Sequence, residues 1–164
     1  MNKKYELTPE VFIINGRPLY RIIALRDFGD VKTGDVGGFI EFEDNLSHDG
    51  KCWVSRNAKL YGRSHIYENA QVSDNARIYG NAKIFGKAQV YGTAIVGGAT
   101  LIYQDAQVSG CANVCGNSRI SGDAYIGGVA SIYGHVHLDS GVWIRTIDNN
   151  MYLVSTTLRR ILVA

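Results

Sequence analysis

Every sixth residue from Val54 to Ile144 is Val, Ile or Leu, sixteen positions in a row with no insertion. A fixed short period of this kind marks a repeat architecture, and it limits the fold more than any other feature of the chain. Two residues before each aliphatic stands a small residue, which is Ala, Ser or Thr throughout from Ala58 to Ala130. Two residues after it stands Gly at most steps, as at Gly62, Gly80, Gly86, Gly92, Gly98, Gly110 and Gly116. Small and aliphatic residues two apart point to the same face of a strand. Gly, Asn and Asp accept the positive φ of a tight turn. Each hexad therefore predicts a short strand followed by a corner. A period of six keeps no stripe on an α-helix, which excludes that alternative.

Three corners close a triangle, so eighteen residues such as "NARIYGNAKIFGKAQVYG" make one coil. Coils stack through parallel ladders about 4.8 Å apart, which predicts about five coils and roughly 25 Å of prism. The expected fold is all-β: a triangular prism over residues 52–145, an N-terminal β cap over 1–51, and a C-terminal cap or oligomerisation segment over 146–164. Terminal caps are expected because open strand edges invite aggregation. In the N-terminal part, Val11–Ile14, Asn15-Gly16 and Leu19–Leu25 read as a hairpin, since Asn-Gly is a strong hairpin turn signal. Near the other end, Met151–Val154 reads as a strand, and Thr157 with Leu158, Ile161 and Leu162 as the start of a short amphipathic helix.

The hexads resemble those of left-handed parallel β-helix (hexapeptide-repeat) proteins across residues 52–145. The family hexad runs aliphatic, Gly, two free positions, small, free. The aliphatic and small positions match, whereas Gly here falls one place later and Tyr often fills the usual Gly place. The left hand of the coil and the frequency of homotrimers are what this resemblance implies. The stretch "LYRIIALRDFGDVKTGDVGGFIEFEDNLSHDGKCWV", residues 19–54, is similar to the leader of phage- and prophage-borne hexapeptide proteins labelled polymer-forming or acyltransferase.

The charge balance argues against a nucleic-acid footprint. Net charge is +2, with 6 basic and 9 acidic groups in residues 1–50 and 9 basic and 5 acidic in 51–145; nucleic-acid binding needs a concentrated basic patch. Glu6, Pro9 and Glu10 interrupt any apolar run after Lys3 and Lys4, so no signal peptide is expected, and no stretch is apolar enough to span a membrane. Three Cys in no disulfide framework fit a reducing compartment. The expected location is the cytoplasm, that of a bacterial host if the chain is phage-encoded.

Outward positions fall into columns eighteen residues apart. One holds Gln71, Gln89 and Gln107, whose amides are expected to bond along the axis. A second holds Tyr67, Phe85 and Tyr103; a neighbouring face holds Tyr61 and Tyr79, with Lys59, Arg77, Lys83 and Arg119 between them. This aromatic-basic surface is the candidate binding site for a protein partner, because exposed aromatics make interfaces. Trp53 and Trp143 are expected to pack under the caps, and Gly97-Gly98 and Gly127-Gly128 to be corners.

Acyltransferases of the resembled family use a His as general base toward a hydroxyl or amine, beside a loop that breaks the repeat. The hexads here are unbroken, and His48, His65, His135 and His137 are scattered. His135, near a subunit seam, is the candidate catalytic residue. "SHD", residues 47–49, reads as a turn rather than a triad, because adjacent residues cannot take up triad geometry. No metal site and no cofactor are implied: zinc needs three or four ligands, and no phosphate-loop motif occurs. The sequence favours a non-catalytic interaction protein of phage or prophage type, engaging a host or defence factor. The alternatives are an acyltransferase with its site at a subunit seam and a structural polymerising module.

Overall fold

The computed structural model describes residues 2–147 and 150–155, with side chains described through Ile144. Two-residue parallel strands stack into three sheets, one on each side of a β-solenoid. We call the sides the Leu60, Ile66 and Val72 faces after one inward residue of each. Register advances by eighteen residues per coil without slipping: Leu60 pairs with Ile78, Ile66 with Ile84 and Val72 with Val90. The inward aliphatics and the Ala, Ser and Thr beside them are buried, so the core is one continuous column.

Stacking begins earlier than the hexad run suggests. The strand β3 (Val36–Ile40) pairs in parallel with Lys59–Leu60, placing Ile40 beneath Leu60, and Leu46 forms a parallel bridge to Ile66. Ile40 and Leu46 thus supply two sides of an additional coil, and the solenoid has about six turns rather than five. Two substitutions hide this coil from the pattern. Gly38 takes the small position before Ile40, where a Cβ would lie 2.5 Å from the Ala58 carbonyl oxygen, and Asp44 stands where a small residue is expected before Leu46. From Leu46 the chain takes eight residues, not six, to reach the next inward aliphatic, Val54. The repeat is therefore broken once, by a two-residue excursion after Leu46.

The N-terminal hairpin joins β1 (Tyr5–Ile14) to β2 (Arg17–Ala24) through Asn15 and Gly16, both at positive φ, as the Asn-Gly signal predicts. The first strand starts at Tyr5, earlier than the expected Val11, and a register shift between Leu7 and Val11 absorbs Pro9. Because β2 pairs antiparallel with β3, the hairpin continues the Leu60 sheet instead of forming a separate lid. Lys4 fastens its start: the buried ammonium donates to the Cys52 carbonyl at 2.8 Å and to the Cys52 sulfur at 3.2 Å. Trp53 packs under this end against Tyr5 and Phe28. At the other end, Val142–Ile147 pairs in parallel with Tyr125–Gly127 and antiparallel with Asn150–Ser155, which contains the expected strand. Trp143 is not under a cap; it is 54% exposed and tilts against Tyr125. The helix expected after Thr157 falls outside the described residues.

The corners carry the tightest packing. Gly62, Gly80, Gly98 and Gly116 all have positive φ and stack one above another, and a Cβ on Gly98 would sit 2.5 Å from the Gly116 carbonyl oxygen. Where a corner is not Gly, a polar side chain serves the next coil. Glu68, Asp74 and Gln104 also have positive φ, and their side-chain oxygens accept the backbone N–H groups of Gly86, Gly92 and Gly122 at 2.8, 3.0 and 2.7 Å. A buried or half-buried corner N–H without a partner would cost about 1–3 kcal/mol. Gly97 and Gly127, expected at corners, have another use: they leave room for the Tyr79 and Tyr125 rings, and the corners themselves are Gly98 and Gly128.

Gly98→Ala and Gly16→Ala separate conformational strain from collision, since nothing lies within 4 Å of a Cβ on Gly16. Gly16→Ala is expected to lose about 1–2 kcal/mol and Gly98→Ala more than about 3 kcal/mol. Urea unfolding measures both, and equal losses would refute the stacked-corner constraint.

Candidate functional site

The Ile66 face carries two outward columns. His65, Lys83, Leu101, Arg119 and His137 follow one another in register, and Tyr67, Phe85 and Tyr103 lie beside them. At the N-terminal end of this face is an open depression of roughly 660 Å3, lined by Ser47, Asp49, Gly50, His65, Tyr67, Glu68, Asn69 and Lys83. Ser47, Asp49 and Gly50 come from the excursion after Leu46. A uniform hexad prism would present a flat face here, so the break in the repeat builds the wall.

His65 is the residue in this depression whose tautomer is set by a neighbour. Its Nδ1 lies in hydrogen-bonding contact with the Asp44 carbonyl oxygen. A carbonyl oxygen can only accept, so Nδ1 carries a proton, and in the neutral form of the ring the lone pair is on Nε2. Lys83 is paired in register with His65 one coil on, is exposed, and forms no ion pair among the described residues. Glu68 is committed to the Gly86 N–H. A lone-pair nitrogen and a cation thus border one depression, an arrangement suited to moving a proton while negative charge develops nearby.

His48, the middle residue of "SHD", shares a neighbouring depression with His65 but has both ring nitrogens engaged. Its Nδ1 accepts the Lys4 N–H at 3.1 Å, its Nε2 donates to Glu43 at 3.0 Å, and its ring stacks on Tyr5 at 4.4 Å. His135 lines a different depression toward the C-terminal end of the face, together with His137. His65 and His137 are four coils apart, about 19 Å at the ladder spacing. Among the described residues, no group of three or more His, Cys, Asp or Glu gathers where it could hold a metal ion.

The eight candidate binding residues fall on two adjoining faces. Tyr67, Lys83, Phe85 and Tyr103 lie on the Ile66 face, whereas Lys59, Tyr61, Arg77 and Tyr79 lie on the Leu60 face. Lys59 is a correction: it is only 7% exposed, because the hairpin lays Phe12 over it, with the ammonium 4.4 Å from the ring centroid. Burial lowers its pKa from the ordinary lysine value. Arg77 is exposed. Tyr61 and Tyr79 stack at 5.6 Å, and the Tyr79 hydroxyl meets the Cys115 sulfur at 3.5 Å. That bond and burial push the Tyr79 pKa up to about 12.

Tyr67, Phe85 and Tyr103 form a ladder with centroids 4.8 and 5.0 Å apart and planes within 7° and 4° of parallel. The ring faces within the ladder are covered by one another, and the edges face outward. Nucleobase stacking uses an open ring face, so the interior of the ladder offers no such platform. The Gln column behaves differently from expectation. Gln71 donates to the Lys51 carbonyl and Gln107 accepts from the Tyr91 hydroxyl, and no hydrogen bond joins the three amides among the described residues.

Among the described residues no helix is long and apolar enough to cross a membrane. No family model matches the chain. A stretch of 54 residues, 32% of the chain, is 41% identical to an Escherichia coli (strain K12) protein described as the uncharacterized acetyltransferase YdcK. That stretch covers 17% of the relative, so the chain spans a minor part of the curated protein it matches.

Phe85 stands between two rings, whereas Tyr67 and Tyr103 each stack on one member of the ladder. At about 0.5–1.5 kcal/mol per aromatic pair, Phe85→Ala should lose close to twice the stacking contribution of Tyr67→Ala. Double-mutant cycles in urea read out this difference, and a coupling near zero for both pairs would contradict a stabilising ladder.

Proposed function

We propose that the chain transfers an acyl group to a hydroxyl or amine, with His65 as general base. The observation that carries this reading is the His65 ring, whose Nδ1–H is held by the Asp44 carbonyl so that Nε2 is the basic nitrogen, beside Lys83 in the depression walled by the one break in the repeat. Nε2 takes the proton from the acceptor as its oxygen or nitrogen attacks the carbonyl carbon of the acyl thioester. The thiolate leaves as the carbonyl re-forms, and the imidazolium returns the proton to it. Lys83 offsets the negative charge that develops on the carbonyl oxygen. The similarity of 54 residues to a protein described as an acetyltransferase supports the same class. The depression is open, and a neighbouring subunit of a homo-oligomer would supply its outer wall.

A second reading rests on the half-buried, stacked Tyr67, Phe85 and Tyr103 ladder. With Lys83, and with Tyr61, Arg77 and Tyr79 on the adjoining face, it is a rigid surface that would engage a protein partner at low ordering cost, a host or defence factor in a phage setting. Lys59 takes no part in it, being covered by Phe12.

Acetyl-CoA with a panel of small amines and alcohols tests the first reading through release of free thiol. Loss of about 10²–10⁴-fold in turnover is expected for His65→Ala, with His135→Ala unaffected. Turnover indifferent to His65, or no saturable binding of the donor, sinks it and leaves the interaction surface as the better account.

A further inference from the structure

We propose that the second depression on the Ile66 face binds the phosphate group of a small phosphate ester. It encloses roughly 570 Å3 between Ala99, Leu101, Asn117, Arg119, His135, Val136 and His137. The hollow exists because the column of exposed side chains is locally short: Ala99 sits at a corner and Leu101 stands between Lys83 and Arg119. Arg119 and His137 are register partners on adjacent coils, and His135 precedes His137 by two residues. One guanidinium, two imidazoles and one amide therefore border one concave surface.

None of the lining residues is a carboxylate. Asp139, on the same coil as His137, lies in the other outward column and is occupied by the Ser140 N–H at 2.7 Å and the Ser121 hydroxyl at 3.3 Å. Asp123 is likewise held by the Gly141 N–H at 2.7 Å. The Arg119 guanidinium has no ion pair and no hydrogen bond to any described residue, its backbone N–H alone bonding to the Val136 carbonyl, whereas Arg17, Arg21 and Arg56 are each paired with a carboxylate. An unpaired guanidinium offers a rigid fork of donors that matches phosphate geometry.

The donor set decides against other occupants. Two imidazoles fall short of the three or four ligands a zinc site uses, and an adjacent guanidinium repels a cation. No Phe, Tyr or Trp lines the hollow, so it lacks the broad aromatic platform on which nucleobases stack. The aliphatic parts of Ala99, Leu101 and Val136 give the carbon side of an ester something to touch that a free ion would not use. Leu101, Arg119 and His137 lie two, three and four coils from His65, about 10, 14 and 19 Å at the ladder spacing, and the site does not rest on the acyl-transfer reading.

The experiment titrates the full chain with phenyl phosphate and with inorganic phosphate, following amide NMR shifts. Saturable shifts at Asn117, Arg119 and His137 are expected, with phenyl phosphate binding more tightly. Arg119→Gln and His137→Gln should each weaken binding about tenfold or more, as loss of a charge-assisted hydrogen bond does. Both side chains are exposed, so unchanged thermal unfolding is expected and confirms that the variants fold. Equal affinity for the two probes keeps the phosphate site and assigns it to free phosphate. Absence of saturation, affinity unchanged in both variants, or preferential binding of zinc overturns the proposal. Loss of binding in Lys83→Gln or His65→Ala would place the ligand in the other depression and also overturn it; failure of acetyl transfer alone bears only on the preceding reading.

Discussion

Close approach of backbone to backbone at the corners is the constraint on which the rest of the structure depends. Successive coils meet there with so little space that the Gly98 and Gly116 corners leave no room for a Cβ between them. The Glu68, Asp74 and Gln104 corners each have a Gly on the next coil, Gly86, Gly92 and Gly122, whereas the Arg56 corner is followed by Asp74 and pairs with it. The Glu68, Asp74 and Gln104 side chains bond the Gly N–H groups they approach. The corners thereby set the eighteen-residue register, and the register aligns every outward column.

A frame this regular makes flat faces, and chemistry needs concavity. The chain obtains it in two ways on one face. After Leu46 the backbone takes two residues more than the repeat allows, and Ser47, Asp49 and Gly50 rise beside His65. Farther along, nothing in the backbone changes, and the hollow comes from short side chains at Ala99 and Leu101 flanked by Arg119 and His137. The first device also fixes a tautomer, since the Asp44 carbonyl that holds His65 belongs to the same irregular coil.

Much of the solenoid was legible in the sequence. Sixteen aliphatic positions at a fixed interval gave the strands, corners, inward core and three-sided coil, and Asn15-Gly16 marked the hairpin turn. The first coil was not legible, because Gly38 and Asp44 occupy its small positions and the next aliphatic comes eight residues after Leu46. For the same reason, the proposed general base differs from the residue that the sequence favours. With the repeat read as unbroken, His135 stood out and His65 did not, although a spacing of six from Ile40 to Leu46 followed by eight to Val54 was the available signal. Lys59 was misplaced because its column position is outward, and only the folded hairpin brings Phe12 over it.

The sequence by itself determined which side chains face in, which face out and which share a column, because strand alternation and an invariant period are local properties of the chain. Tertiary structure alone decided which outward residues are covered, which imidazole nitrogen holds the proton, and which cations lack partners. Those outcomes depend on contacts between residues far apart in the chain: Phe12 with Lys59, Asp44 with His65, and Tyr79 with Gly97 and Cys115. A hexad pattern records the height and side of each residue on the prism and carries no information about what the irregular segments lay across it.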